Sequence, residues 1–144
     1  MRLQADLRET IIAAERAALD RWIKFDPEGY LELSARKVTY FDPYREKRID
    51  GLEELTSVLT PIKQFKGAVA ETHYDMIDPK VQCHGDIAVL SFNLINYGKV
   101  GGRPEAVLAR WNATQVYRQI EGQWKIIHSH WSYSKPELKQ PEQT

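Results

Sequence analysis

The chain has one cysteine among 144 residues, Cys83, so it cannot close an intramolecular disulfide or furnish a cysteine-rich zinc module. It also lacks a surplus of either charge, because 20 Lys and Arg balance 20 Asp and Glu. Without a basic excess or a run of about five like charges, nucleic acid and a polybasic membrane contact are not expected as partners. No stretch approaches about 18 consecutive apolar residues, so no membrane span is expected. The opening MRLQADLRET has no apolar core of the secretory kind. Gly98 to Gly102 lacks the GK[ST] ending and following helix of a phosphate loop, and no cofactor is expected. These absences point to a soluble, cytoplasmic protein.

What is present is a globular balance: 42% hydrophobic and 28% charged residues. A chain of this length buries roughly 68% of its unfolded surface, enough for a core without staples. Leu3, Leu7, Ile11, Ala14, Ala18 and Trp22 recur at helical spacing, widened by Ile12, Leu19 and Ile23. The long helix they define ends near Phe25, because Pro27 biases Asp26 away from the α region and suits the first turn of a new helix over 27–33. Val38-Thr39-Tyr40-Phe41 reads as a strand and Asp42 to Glu46 as a polar turn. Asp50 and Glu53 form a capping-box pair at the start of a third helix. Its buried stripe is Leu52, Leu55, Val58, Leu59, Ile62 and Phe65, with Pro61 ending its regular part and Gly67 capping it.

Beyond Gly67 the period changes from helical to alternating. Strands are expected near 68–77, 80–97, 104–118 and 123–134, the second split by a tight turn at His84-Gly85-Asp86. One domain over 1–134 and a flexible tail over 135–144, which carries Pro136 and Pro141, complete the organisation. Three helices grouped on one side of a curved, mainly antiparallel sheet define an α+β architecture. A sheet curling around a long helix leaves a concave space, the default ligand site.

Specific residues then suggest a family. Asp26-Pro27-Glu28-Gly29-Tyr30, Val38-Thr39-Tyr40-Phe41-Asp42-Pro43 and Ile49-Asp50-Gly51-Leu52 resemble the calcium/calmodulin-dependent kinase II association domain. The likeness continues through Ile77-Asp78-Pro79-Lys80-Val81, His84-Gly85-Asp86 and Gly102-Arg103-Pro104. It ends with Thr114-Gln115-Val116-Tyr117-Arg118, Glu121-Gly122-Gln123-Trp124 and His128-Ser129-His130-Trp131-Ser132, so it covers about residues 8 to 135 in unbroken order. The wider group is the nuclear-transport-factor-2-like superfamily, with SnoaL-like cyclases and ketosteroid isomerases. The resemblance implies a cone-shaped α+β roll with a deep pocket, usually assembled through the outer sheet face. No GxGxxG, HRD or DFG motif is present, so the chain looks like a stand-alone version without a kinase.

The resemblance also implies a cavity lined by a His and several Arg suited to an anionic ligand. Aligned on these motifs, the chain carries Leu55 at the His position and Asn93, Gln115 and Trp131 at the Arg positions. The expected ligand is therefore a small, neutral, partly aromatic molecule. Strand alternation extends the expected lining to Tyr97 with Asn93, to Trp111 and Tyr117 with Gln115, and to Ser129 and Tyr133 with Trp131. The same aromatics would equally fill a core. Asp42, with Tyr40, Tyr97 or Tyr133 as phenol donor, is the candidate general base of a ketosteroid-isomerase-type proton transfer; its other reading is a side chain capping the Asp-Pro turn. His128 and His130 share a strand face but lack a third ligand at a defined spacing, so no metal site is expected. Cys83, with no base adjacent in sequence, reads as a buried structural thiol, and the Asn112-Ala113-Thr114 sequon as incidental. Trp124, Ile126, His128 and His130 alternate with the pocket set and are expected on the outer face, in a homodimer or larger homo-oligomer. Three functional classes remain open: a small-molecule binder or isomerase, dehydratase or cyclase-like enzyme, an association module, and a protein-binding adaptor.

Overall fold

A computed structural model describes residues 2–135. The expected tail lies, beyond Lys135, outside the described residues. Helix α1 (Arg2–Trp22) is followed by α2 (Glu28–Leu33), strands β1 (Ser34–Phe41) and β2 (Ile49–Asp50), and α3 (Leu52–Leu59), which passes into a 3₁₀ turn over Thr60–Phe65. Strands β3 (Val69–His84), β4 (Ile87–Val100), β5 (Ala106–Ile120) and β6 (Gln123–Tyr133) complete the chain. The six strands form one sheet in the order β2-β1-β6-β5-β4-β3. Every pairing is antiparallel except β1 with β6. This is the α+β architecture with helices on the concave side of a mainly antiparallel sheet.

Local chemistry explains most boundaries. The Asp26 carboxylate accepts from the Glu28 amide (3.0 Å), capping α2, and holds Arg21 of α1 at 2.8 Å. Gly29 lets the two helices close up: a Cβ there would stand 3.1 Å from the Ala18 Cα. Pro61 sits at the start of the 3₁₀ turn that ends α3, where its missing N–H costs nothing. The Asp50 capping box does not form. Gly51 occupies the N-cap with φ of 93°, and Asp50 instead pairs with Arg48 at 2.6 Å. The break expected at 78–79 is a bulge within β3, and the hairpin turn at 85–86 separates β3 from β4. The short β2, which pairs with Thr39 and Tyr40, has no counterpart in the sequence pattern.

Curvature comes from irregularities in four of the pairings, between Ser34 and Thr39, Ala70 and His73, Ile77 and Lys80, Asn96 and Tyr97, and Val116 and Tyr117. Each extra residue bends and twists its strand, so the sheet closes around α1. Ile11, Ala18 and Leu19 of α1 meet Val81, Ala88, Leu90, Phe92, Leu94, Ala113 and Ile126 of the sheet in a single core. The bulge beside Tyr117 corrects one expectation. It inserts Ile127, so Ile126 points inward and is fully buried and Trp124 packs against the core, while His128 and His130 stay on the outer face against Phe41.

Candidate functional site

Between the helices and the concave face of the sheet lies a cavity of about 550 Å³, within the range of small-molecule sites. Its wall is largely apolar: Leu19 and Trp22 from α1, Leu55, Val58 and Leu59 from α3, Leu94 from β4, Trp111 from β5 and Trp131 from β6. Trp131 holds the arrangement together, with its ring edge-on to Tyr30 at 6.2 Å, Phe92 at 5.9 Å and Trp111 at 6.0 Å. Edge-to-face pairs of this kind add about 0.5–1.5 kcal/mol each beyond area burial and fix the ring planes. Most of the polar groups in and behind the wall fall into two clusters.

The first cluster stands near the mouth, where β1 runs into the loop before β2. The Asp42 side chain is only 4% exposed. Its Oδ1 accepts from the Tyr44 amide at 2.9 Å, and its Oδ2 accepts from Arg45 Nη1 at 2.5 Å. Arg45 Nη2 donates to the Val58 carbonyl at 3.3 Å, tying the loop to α3. Burial, with the Asp42 carboxylate beside it, holds the Tyr40 phenol protonated far above the usual tyrosine range. Tyr44, 65% exposed, lies edge-on to Trp111 and accepts from the Tyr133 hydroxyl at 2.8 Å; burial and this contact raise its pKa too.

The second cluster forms the floor and centres on Glu15, which is fully buried. Its Oε2 accepts from the Tyr30 hydroxyl (2.5 Å) and from Gln115 Nε2 (2.9 Å), and its Oε1 accepts from the Tyr117 hydroxyl (2.5 Å). Ser129 donates to Gln115 Oε1, extending the network to the cavity wall. Burial raises the Glu15 pKa, opposed by the hydrogen bonds of Tyr117, Tyr30 and Gln115. Burial and the Glu15 charge push both Tyr30 and Tyr117 well above the ordinary tyrosine value. Among the described residues no buried side-chain polar atom lacks a partner, so this network is complete.

Of the residues singled out from sequence, Tyr40, Asp42, Leu55, Trp111, Ser129 and Trp131 line the cavity. Gln115 and Tyr117 lie on the inner face beneath the floor, bonded to Glu15. Tyr133 is at the rim, stacked on Trp111 at 4.8 Å. Asn93 and Tyr97 are elsewhere. In β4 the inward set is Ala88, Leu90, Phe92 and Leu94, so Asn93 faces outward and donates to Asn112 Oδ1 at 2.7 Å and to the Trp111 carbonyl at 3.1 Å. Tyr97 shares that outward side of β4, where it stacks on His73 and donates to Asp75. Asp42 caps its turn through the Tyr44 amide and also lines the cavity. The expectation of a cavity without a cation is corrected, because Arg45 lines it.

Sequence reasoning misses Glu15, Tyr30, Ser34, Arg45 and Asn96. Glu15 has a signal, since it lies four residues after Ile11 and four before Leu19 on the buried stripe. Among the described residues no group of three or more His, Cys, Asp or Glu is placed to hold a metal, and Cys83 is half-buried. No helix among them is long and apolar enough to cross a membrane.

A helix-wrapped, curved sheet around an aromatic cavity defines the chain as an α+β roll of the nuclear-transport-factor-2-like kind. Residues 11–136 match the model of the SnoaL-like domain, and the chain belongs to that family. A candidate ketosteroid isomerase from Parabacteroides distasonis shares 43% identity over 89% of this chain and 88% of its own, with a TM-score of 0.71. The association domain of the Caenorhabditis elegans calcium/calmodulin-dependent kinase II (20% identity, 89% and 96% covered, TM-score 0.76) shares the fold. So does a nuclear-transport-factor-2-like protein of unknown function from Pseudomonas putida KT2440 (19%, 94% and 98%, 0.74). No curated protein matches the chain by sequence.

Proposed function

We propose that the chain binds a small, flat, neutral carbonyl compound in the cavity and moves a proton at the carbon beside the carbonyl. The observation that carries the reading is the Asp42 carboxylate, withdrawn from solvent in the wall of an aromatic cavity next to a phenol and a guanidinium. Aromatic walls accept a planar ligand, and a few polar groups orient it. Asp42 takes the proton at carbon, and negative charge moves to the carbonyl oxygen. As Asp42 is neutralised, its hold on Arg45 weakens, and the guanidinium is free to follow the charge to the enolate. Tyr40, kept protonated by its surroundings, supplies an O–H. The 43%-identical candidate ketosteroid isomerase supports the same class of chemistry.

The test uses α-tetralone, a flat aromatic ketone with exchangeable protons beside its carbonyl, followed by proton exchange in deuterated water. The chain should accelerate exchange, and Asp42→Asn should lose about 10²- to 10⁴-fold of that acceleration. The asparagine keeps an oxygen for the Tyr44 amide, so the melting temperature should move little. Exchange equal in both proteins refutes the base, and aliphatic dicarboxylates as sole hits in a thermal-shift series refute the ligand class.

A second reading, association through the outer sheet face, is favoured by Phe41, which is 36% exposed against His128 and His130. Light scattering at micromolar concentration should report a dimer or larger species, and only monomer refutes it.

A further inference from the structure

The floor of the cavity is built differently from its mouth, and counting protons shows how. Tyr30, Ser34 and Ser129 are the buried hydroxyls that line it. Each has one O–H. Tyr30 commits its proton to Glu15, Ser34 commits its own to the Tyr30 carbonyl (2.7 Å), and Ser129 commits its own to Gln115. None has a proton left for a ligand; each keeps lone pairs. The mouth differs in offering N–H donors beside the Asp42 carboxylate. Trp111 Nε1 can only donate, and it donates to Asn96 Oδ1 at 2.9 Å, which turns the Asn96 NH₂ outward from that bond. Arg45 has five N–H groups, of which Asp42 and Val58 take two.

We infer that the cavity is polarised, with hydrogen-bond acceptors at its floor and donors at its mouth, and that it selects ligands carrying a hydroxyl or N–H at the inner end and a carbonyl at the outer end. This rests on the proposed ligand site and adds the substituent and the direction of binding. Glu15 sets the polarity without touching the ligand. Its carboxylate draws the Tyr30 and Gln115 protons, and Gln115, so oriented, presents Oε1 to Ser129. An oxygen that brings no proton to the floor meets only other oxygens there, so its loss of water is uncompensated.

The test measures affinity by quenching of tryptophan fluorescence, since Trp22, Trp111 and Trp131 line the cavity. The probes are α-tetralone and its derivatives with a hydroxyl or a methoxy group on the aromatic ring opposite the carbonyl. The hydroxy compound should bind on the order of tenfold more tightly than the other two, the worth of one good hydrogen bond. In Ser129→Ala and in Tyr30→Phe that ratio should fall toward one. Equal affinity of the three compounds, or an advantage of the hydroxyl that survives both substitutions, overturns the inference and leaves the ligand site standing. Failure of all three to bind at millimolar concentration overturns the ligand site and the inference with it.

Discussion

The two ends of the cavity each hold a carboxylate beside tyrosines, yet the two carboxylates live in different physical worlds. Asp42 at the mouth leans on a guanidinium and a backbone amide. Glu15 at the floor has neutral donors only: two phenols and one amide. A cation beside a carboxylate offsets its lost hydration by Coulomb attraction. Neutral donors do so through hydrogen bonds alone, which leaves burial as the dominant influence on Glu15. The mouth is thus a place where charge can be exchanged with a ligand, and the floor a place where proton directions are fixed.

Removing one hydrogen-bonded hydroxyl from each end gives the largest contrast. Tyr117→Phe takes the phenol donor away from Oε1 of a fully buried carboxylate and should cost about 1–3 kcal/mol in chemical denaturation. Tyr44→Phe removes the acceptor of the Tyr133 hydroxyl on a residue that is 65% exposed, and should stay within about 0.5 kcal/mol. Equal losses would erase the distinction between the ends.

Acidity sharpens it further. The folded chain holds the Glu15 proton to higher pH than the unfolded chain, whose carboxyl titrates near 4.5. Folding therefore takes up a proton in that window, and the Glu15 contribution to stability is greatest below 4.5 and declines as pH rises through the folded value. Glu15→Gln should flatten that decline in melting temperature between pH 4.5 and neutrality. A variant that falls as steeply as the parent would show that Glu15 is not the group responsible.

Arg45→Gln tests the cation at the mouth. The guanidinium is a third exposed, but its loss leaves behind a carboxylate only 4% exposed, so the change should cost about 1–3 kcal/mol. It should also slow α-tetralone exchange, because the cation beside the carbonyl is gone. Unchanged exchange would remove Arg45 from the proposed reaction.

Most of the architecture is legible in the sequence, because it rests on repeating local patterns: the helical stripe from Leu7 to Trp22, the alternation after Gly67, and the punctuation at Pro27 and Pro61. The site is legible where alternation is unbroken, as for Trp111 and Gln115 along β5. It is not legible where a single inserted residue reverses alternation. Ile126 is misplaced by simple alternation for that reason, since a bulge depends on pairing with a neighbouring strand and not on the local pattern. Asn93 and Tyr97 go wrong together, because alternation fixes which residues share a face and not which face is the inner one. Arg45 escapes notice because a long side chain in a loop goes where the folded wall allows, and its reach to Val58 exists only once α3 is packed. Glu15 sits in plain view on an apolar stripe, masked by the expectation that glutamates face water.

The parallel pairing of β1 with β6 has a consequence in time. It joins residues 34–41 to residues 126–130, about 90 positions further along, whereas β3 to β6 pair as successive neighbours. Contacts between distant segments form slowly, because the loop between them must close before any attraction repays the loss of freedom. The successive hairpins of β3 to β6 are expected to assemble first, and the segment bearing Tyr40 and Asp42 to dock beside Ser129 and Trp131 last. As a ribosome releases the chain, the cavity comes into being only after almost all of it has emerged.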